Sequence, residues 1–292
     1  MKSSIILFFA LVTVSAQSQD LLAELDKKTP STPDYVQATF KSTRLVNGQT
    51  METKGKGALE FIFAHRFGPI SSGAYELYGL DQAYVRLGLE YGITDRLGAG
   101  FGRNSEDKTM DAYLRYKVLR QQSGGGGSPV TVTAFGIAAV KTSPRKEDAT
   151  YDIQFEDRLS YTGQFLIARK FNQSLSIQLV PTLVHKNTVD RSIEPNNQAL
   201  IGFGGRLKLT RSVALTTEYY YRFDVPDANP YYNPIGFGVD IETGGHVFQL
   251  VMTNSRGLTE RAYLTETNGD FFKGDIHLGF NVTRTFQLKK QK

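Results

Sequence analysis

Apolar and polar residues alternate with period two from residue 83 to residue 104. Ala83, Val85, Leu87, Leu89, Tyr91 and Ile93 share one face of an extended chain, and Tyr84, Arg86, Gly88, Glu90 and Gly92 share the other. Thr94 and Asp95 make a short turn, and Leu97, Ala99 and Phe101 then alternate with Gly98, Gly100 and Gly102. An Arg and a Glu on the inner face of a soluble sheet would be costly. They suit a barrel with lipid outside and a polar interior.

The same hairpin plan recurs to the end of the chain. Strands are expected at 56–67, 83–93, 96–103, 109–119, 130–141, 155–170, 174–186, 199–209, 212–223, 234–242, 246–253 and 275–286. The fold class expected is all-β: an antiparallel transmembrane β-barrel of about twelve strands, with short periplasmic turns and longer extracellular loops. The joins support this. Those at 94–95, 171–173, 210–211 and 243–245 are tight, and longer segments at 68–82, 142–154, 187–198, 224–233 and 254–274 fall between them. This alternation places both termini in the periplasm. Two joins fit less well, 121–129 being long for the inner side and 104–108 short for the outer side.

Face parity sorts the side chains. Leu87, Leu89, Phe203, Leu278 and Phe280 are expected at membrane depth, facing lipid. His65, Arg103, Asp157, Arg169, His185, His246 and Arg284 intrude on apolar faces, each near a strand end where the interface makes a charge cheap. The lumen candidates are Glu60, Arg86, Glu90, Arg115, Arg206, Glu218, Arg222, Asp240, Glu242 and His277, with Arg66, Asp111, Lys117, Arg158 and Lys208 on the same parity.

Residues 1–16 read as a signal peptide: Lys2, a short apolar run, then Val14-Ser15-Ala16 at the cleavage positions. Residues 17–55 are expected to form a periplasmic lead-in, residues 56–288 the barrel and 289–292 a tail. A short strand at 39–45 is expected either in the wall or in the lumen. The chain has no Cys, so no disulfide, no thiolate metal site and no lipid anchor of the bacterial type is expected. Mean hydropathy is −0.30, which strand alternation explains without excluding a membrane protein. A net charge of +5 is too weak to imply nucleic acid.

Several segments are familiar: 57–67 (GALEFIFAHRF), 73–82 (GAYELYGLDQ), 88–101, 240–254 (DIETGGHVFQLVMTN) and 273–286 (KGDIHLGFNVTRTF). They resemble an uncharacterised family of Gram-negative outer-membrane β-barrels, a domain of unknown function, over residues 38–288. The resemblance implies a membrane barrel in the outer membrane, and no catalytic residue. One departure is that outer-membrane barrels often end on an aromatic residue, whereas this chain continues past Phe286 with QLKKQK.

Enzymatic barrels resemble one another in a His-x-Ser pair. His246-Val247-Phe248 and His277-Leu278-Gly279 lack the Ser, and His65 and His185 have none two residues on. No HExxH and no phosphate loop is present, and Gly202-Phe203-Gly204-Gly205 lies inside a strand where it permits close packing. No enzyme activity, cofactor or metal is therefore expected. The reading taken forward is a channel for small polar solutes, with outer-membrane lipid around it and no nucleic acid partner. The alternative is a plugged structural barrel that docks a partner through outer loops such as 228–233. No oligomeric state follows from the pattern. If the barrel conducts, Arg86, Glu90, Arg115, Arg206, Glu218 and Arg222 are expected to set a mild anion preference.

Overall fold

Period-two segments close into a ring of twelve antiparallel strands, each paired with its neighbours in sequence and the last paired with the first. This is a computed structural model, and it describes residues 34–123, 127–143 and 152–288. The expected signal peptide at 1–16, the lead-in up to residue 33 and the tail at 289–292 lie outside the described residues. So do residues 124–126 of the Gly-rich join and 144–151 of the loop expected at 142–154.

The strands are β1 (Ala58–Pro69), β2 (Ala83–Gly92), β3 (Leu97–Asn104), β4 (Met110–Leu119), β5 (Thr131–Val140), β6 (Leu159–Lys170), β7 (Leu175–Lys186), β8 (Asn197–Lys208), β9 (Val213–Arg222), β10 (Ile235–Thr243), β11 (His246–Thr253) and β12 (His277–Gln287). Their number and order are those read from the alternation. One helix, α1 (Glu260–Thr265), lies between β11 and β12, where the sequence suggested only a long loop.

The largest displacement of a start is at β6, which begins at Leu159 rather than at residue 155. Residues Glu156–Arg158 form a 3-10 turn before β6. The Asp157 carboxylate accepts the Gln154 amide at 2.8 Å and the Thr188 hydroxyl at 3.0 Å, and such local bonds compete with a strand. Asp157 is therefore not on a lipid face, and Arg158 is not in the wall; its guanidinium donates to the Ser143 carbonyl at 3.1 Å.

The outer surface is apolar. Leu87, Leu89, Phe203 and Leu278 are exposed there. Five of the seven polar intruders sit against aromatic rings. His65 stacks on Phe280 at 5.1 Å, Arg169 lies over Phe171 at 5.1 Å and Arg284 over Phe286 at 4.7 Å. A cation over a ring at the interface keeps its head near water while its stem covers apolar surface.

The two ends differ. One carries the tight joins, such as Gly244-Gly245 between β10 and β11, and both ends of the described chain. The other carries the long loops. The overlong join between β4 and β5 has a use: it clasps the N-terminal segment. Tyr35 bridges Gln122, the Val36 amide donates to the Gln121 carbonyl at 2.9 Å, and Arg120 lies 3.8 Å from the Tyr35 ring centroid. The chain then turns inward at Ala38, whose φ of 50° is the left-handed region.

The inner surface is not uniformly polar. Phe135 and Ile137 of β5, Leu166 of β6, Val180 and Val184 of β7, Leu200 of β8 and Tyr220 of β9 form a buried apolar stripe facing inward. Charged and uncharged polar groups fill the sector from β9 through β12 and β1 to β4. The stripe exists because it is covered: Phe40, Leu45 and Met51 from the N-terminal segment, and Tyr263 and Leu264 from α1, belong to the same cluster.

Phe203 lies mid-way along β8, whereas Leu278 is the second residue of β12 at the long-loop end. Phe203→Arg is expected to destabilise the barrel by about 2–4 kcal/mol and Leu278→Arg by about 0–1 kcal/mol. Refolding titrations in lipid would check this; equal effects would show that the two sites share one depth.

Candidate functional site

The interior of a barrel of this size is wide enough for a segment of chain. Here two segments fill it. Residues 39–51 enter from the short-turn end as a hairpin and are buried throughout, apart from a half-buried Lys41. Residues 254–267, with all of α1 buried, enter from the long-loop end. The expected short strand at 39–45 is thus in the lumen, and it belongs to no sheet.

The hairpin closes on itself through the Leu45 amide to the Gly48 carbonyl at 2.8 Å and the Thr50 amide to the Thr43 carbonyl at 2.9 Å. Asn47 and Gly48 form its tip, as turn chemistry suggests. The wall holds that tip by its backbone. Glu218 of β9 accepts three amides, from Val46 at 3.2 Å, Asn47 at 2.8 Å and Gly48 at 2.9 Å. Arg66 of β1 donates to the Val46 carbonyl at 3.0 Å and the Asn47 side chain at 2.8 Å. Gln249 of β11 donates to the Leu45 carbonyl at 2.8 Å. Gln178 of β7 grips both sides of residue 50, accepting the Met51 amide at 2.9 Å and donating to the Gln49 carbonyl at 2.8 Å. Wall glycines leave the room this needs. A side chain at Gly204 would begin 2.7 Å from Leu45, and one at Gly236 would begin 2.8 Å from Val46.

The two plugs meet in mid-barrel. Gln49 donates to the Glu260 carboxylate at 2.6 Å and Arg44 lies 3.5 Å from it. The rings of Tyr220 and Tyr263 meet edge to face at 5.7 Å. At the short-turn mouth, ion pairs Lys41–Glu242 at 2.5 Å, Lys54–Glu60 at 2.6 Å and Lys117–Glu52 at 3.7 Å fasten the base of the hairpin to the wall.

A second cluster latches the α1 segment at the long-loop mouth. Arg261 pairs with Glu266 and, at 3.5 Å, with Asp107. Lys186 pairs with Glu194 at 2.6 Å and with Glu266 at 3.3 Å, Lys141 with Asp107 at 2.9 Å, and Arg256 with Glu106 at 2.9 Å. The short join between β3 and β4 supplies Glu106 and Asp107, which accounts for its position: it reaches over the mouth rather than away from it. Burial pushes the Glu266 carboxyl up, but Arg261, Lys141 and Lys186 together outweigh it and hold its pKa below the usual value. Asp107 is likewise lowered, its burial outweighed by Lys141, Arg261 and Arg256. Burial wins at Glu106, whose pKa is raised despite Arg256.

Arg158 apart, the lumen candidates divide by partner. Arg86 binds Asp111 with two hydrogen bonds, at 3.0 and 2.5 Å, and Arg115 lies 3.1 Å from Glu90. Arg115 also donates to the hairpin, to the Glu52 carbonyl at 2.7 Å and the Gln49 side chain at 2.5 Å. Glu60 accepts the Thr43 hydroxyl at 2.8 Å, and Asp240 accepts Gln249 at 2.9 Å. Glu242 sits at the mouth on Lys41. Arg222 donates to the Tyr231 and Thr265 carbonyls in the long-loop mouth, and His277 lies 2.8 Å from the Phe67 carbonyl. Arg206 is buried near the Asp240 charge, and its Nε, like those of Arg66 and Arg115, finds no partner among the described residues. Sequence parity therefore found the wall groups but missed what they hold. Gln178 and Gln249, central to the grip, carry no sequence signal beyond inward parity.

Residues 40–286 match the family described as "Membrane bound beta barrel domain (DUF5777)", so the chain belongs to that family. No curated protein sequence matches it. Solved barrels are similar in fold at low identity. A KdgM porin in complex with disordered oligogalacturonate is 8% identical with a TM-score of 0.48, covering 78% of this chain and 99% of that chain. The COG4313 outer membrane channel from Pseudomonas putida F1 is 14% identical, with a TM-score of 0.48 and coverage of 81% and 98%. OmpF of Salmonella typhi in complex with daunomycin is 9% identical, with a TM-score of 0.38 and coverage of 78% and 97%. Nothing about cargo follows from these likenesses.

Two outcomes are expected. Hydrogen bonds to a charged group contribute about 1.5–3 kcal/mol, so Glu218→Gln should speed exchange of the Val46, Asn47 and Gly48 amides by roughly 10- to 100-fold. Unchanged protection would mean that the carboxylate does not hold the tip. The lowered carboxyls of Asp107 and Glu266 stabilise the latch above their ordinary range, and that contribution is lost as pH falls through their depressed values, below about 4. The raised Glu106 works the other way, losing its contribution as pH rises. Exchange in residues 256–266 should therefore increase below about pH 4; a flat profile would remove the latch from the closure.

Proposed function

We propose that this member of the membrane-bound barrel family is an outer-membrane channel for small polar solutes whose resting state is closed. One observation carries the reading: the lumen is closed by two segments that are not part of the wall. A barrel meant only as a filled post needs no more than its own inward side chains, as small barrels use. Here inward glycines keep the bore wide and a hairpin and a helix occupy it. Each is joined to a strand and inserted from a different mouth, so each can be displaced without breaking a wall hydrogen bond.

The outer loop at 228–233 gives the docking alternative little support. Its Tyr232 amide donates to the Thr267 carbonyl at 2.8 Å and Asn229 to the Ile193 carbonyl at 2.7 Å, so it packs on its neighbours.

Conductance in a planar bilayer tests the reading. The wild type is expected to be mostly closed. Glu260→Gln, which removes the charge that Arg44 and Gln49 share, should raise the open fraction at least several-fold. In the open state Arg206, which makes no ion pair among the described residues, should favour anions, and Arg206→Gln should move the reversal potential toward cation preference, most clearly at low salt. Silence of both proteins under all voltages would favour a permanently plugged barrel.

A further inference from the structure

The lumen wall treats the hairpin as a host treats a ligand. Its grip is on main-chain groups: Glu218 takes three consecutive amides, Arg66, Gln249 and Asn281 donate to the carbonyls of residues 45 and 46, and Gln178 pairs with one amide and one carbonyl. These groups come from β1, β7, β9, β11 and β12, so they converge from most of the circumference on one turn of chain. Beside them the apolar stripe receives side chains, Leu45 and Met51 among them.

Several of these wall groups depend on that occupant. Glu218 is fully buried, makes no salt bridge among the described residues, and accepts its hydrogen bonds from hairpin amides, with the Arg66 guanidinium as the nearby charge. A buried carboxylate without such donors is expensive, so displacement of the hairpin leaves a site that favours a replacement with the same pattern. We propose that the lumen is a binding site for short amphipathic peptides in a turn conformation, and that residues 43–51 occupy it as an internal stand-in. The ligand class follows from the contacts: adjacent N–H donors at a tight turn for Glu218, flanking carbonyls for Arg66, Gln249 and Gln178, and apolar side chains for the stripe. This deepens the channel reading by naming its cargo class, and it rests on that reading only in treating the hairpin as displaceable.

Gly48 permits a test that leaves the wall intact. Its φ is not in the left-handed region, so its backbone accepts a side chain, but a Cβ there would lie 2.1 Å from the Tyr220 hydroxyl and 3.1 Å from Glu218. Gly48→Leu in the full-length protein should therefore unseat the tip. A fluorescein-labelled peptide of residues 43–51, TRLVNGQTM, is titrated into wild type and variant in detergent micelles and followed by anisotropy. The variant is expected to bind at least tenfold more tightly than the wild type, whose site is occupied. Adding Glu218→Gln to the variant should weaken binding at least tenfold, and a scrambled peptide should not compete. The proposal is overturned if the variant binds no better than the wild type, or if binding ignores both Glu218→Gln and scrambling. If Gly48→Leu fails to give a folded, heat-modifiable band, Gly48→Ala is held to the same criteria. Peptide binding without conductance in any variant overturns the channel alone; conductance without peptide binding overturns this site alone.

Discussion

A buried carboxylate whose hydrogen bonds come from backbone amides governs the interior. Glu218 sits in the barrel wall, and the amides of Val46, Asn47 and Gly48 satisfy it. Removing such a group's donors costs more than the bonds themselves contribute when formed, because the charge stays buried. The wall is thus incomplete without the hairpin. The same dependence appears at Arg66 and Gln178, and it explains why the lumen tolerates glycines where a filled barrel would place bulk.

The apolar stripe follows from that arrangement. Leu166, Val180, Val184 and Leu200 would face water in an open bore, at roughly 25 cal/mol for each Å² exposed. Covered by Phe40, Leu45, Met51, Tyr263 and Leu264, they instead add a hydrophobic term to closure. Closure is therefore held by two chemistries. Polar groups of β9 through β1, with Gln178 of β7 and Arg115 of β4, fix the position of the hairpin backbone, and the stripe of β5 through β8 supplies non-directional attraction. Only the first specifies register; the second would accept many apolar side chains.

Much of this was legible in the sequence. Alternation gave twelve strands and put Glu60, Arg86, Glu90, Arg115, Arg206, Glu218, Arg222, Asp240, Glu242 and His277 on the polar face of their strands, because a period of two is local and a strand has only two faces. Join lengths gave the polarity of the barrel, and the two misfits, the long inner join and the short outer one, turned out to mark the clasp on Tyr35 and the latch through Asp107. The contents of the lumen were not legible. Parity states that a side chain points inward but not what stands across from it, and Glu218 is 170 residues from Gly48 in sequence. Nor does local pattern separate α1 from a loop, since six residues carry less than two helical turns. Asp157 misled for a related reason: a side chain bonded to its own turn overrides the alternation around it.

The two closures are built so that they can be released separately. At the short-turn mouth the chain is held by backbone pairing to the join of β4 and β5 and by three ion pairs. At the long-loop mouth the latch is a network of carboxylates and cations, open to protonation and to screening by salt. Mid-barrel, Glu260 joins the two through Gln49 and Arg44. A change at the outer mouth that draws α1 away must therefore also remove the acceptor for two hairpin side chains, while leaving the Glu218 grip intact. Opening from the outside would loosen the hairpin without ejecting it. Ejection requires a competitor for Glu218 itself, and that need makes the chemistry of the wall, rather than the width of the bore, the basis on which such a channel would choose what enters.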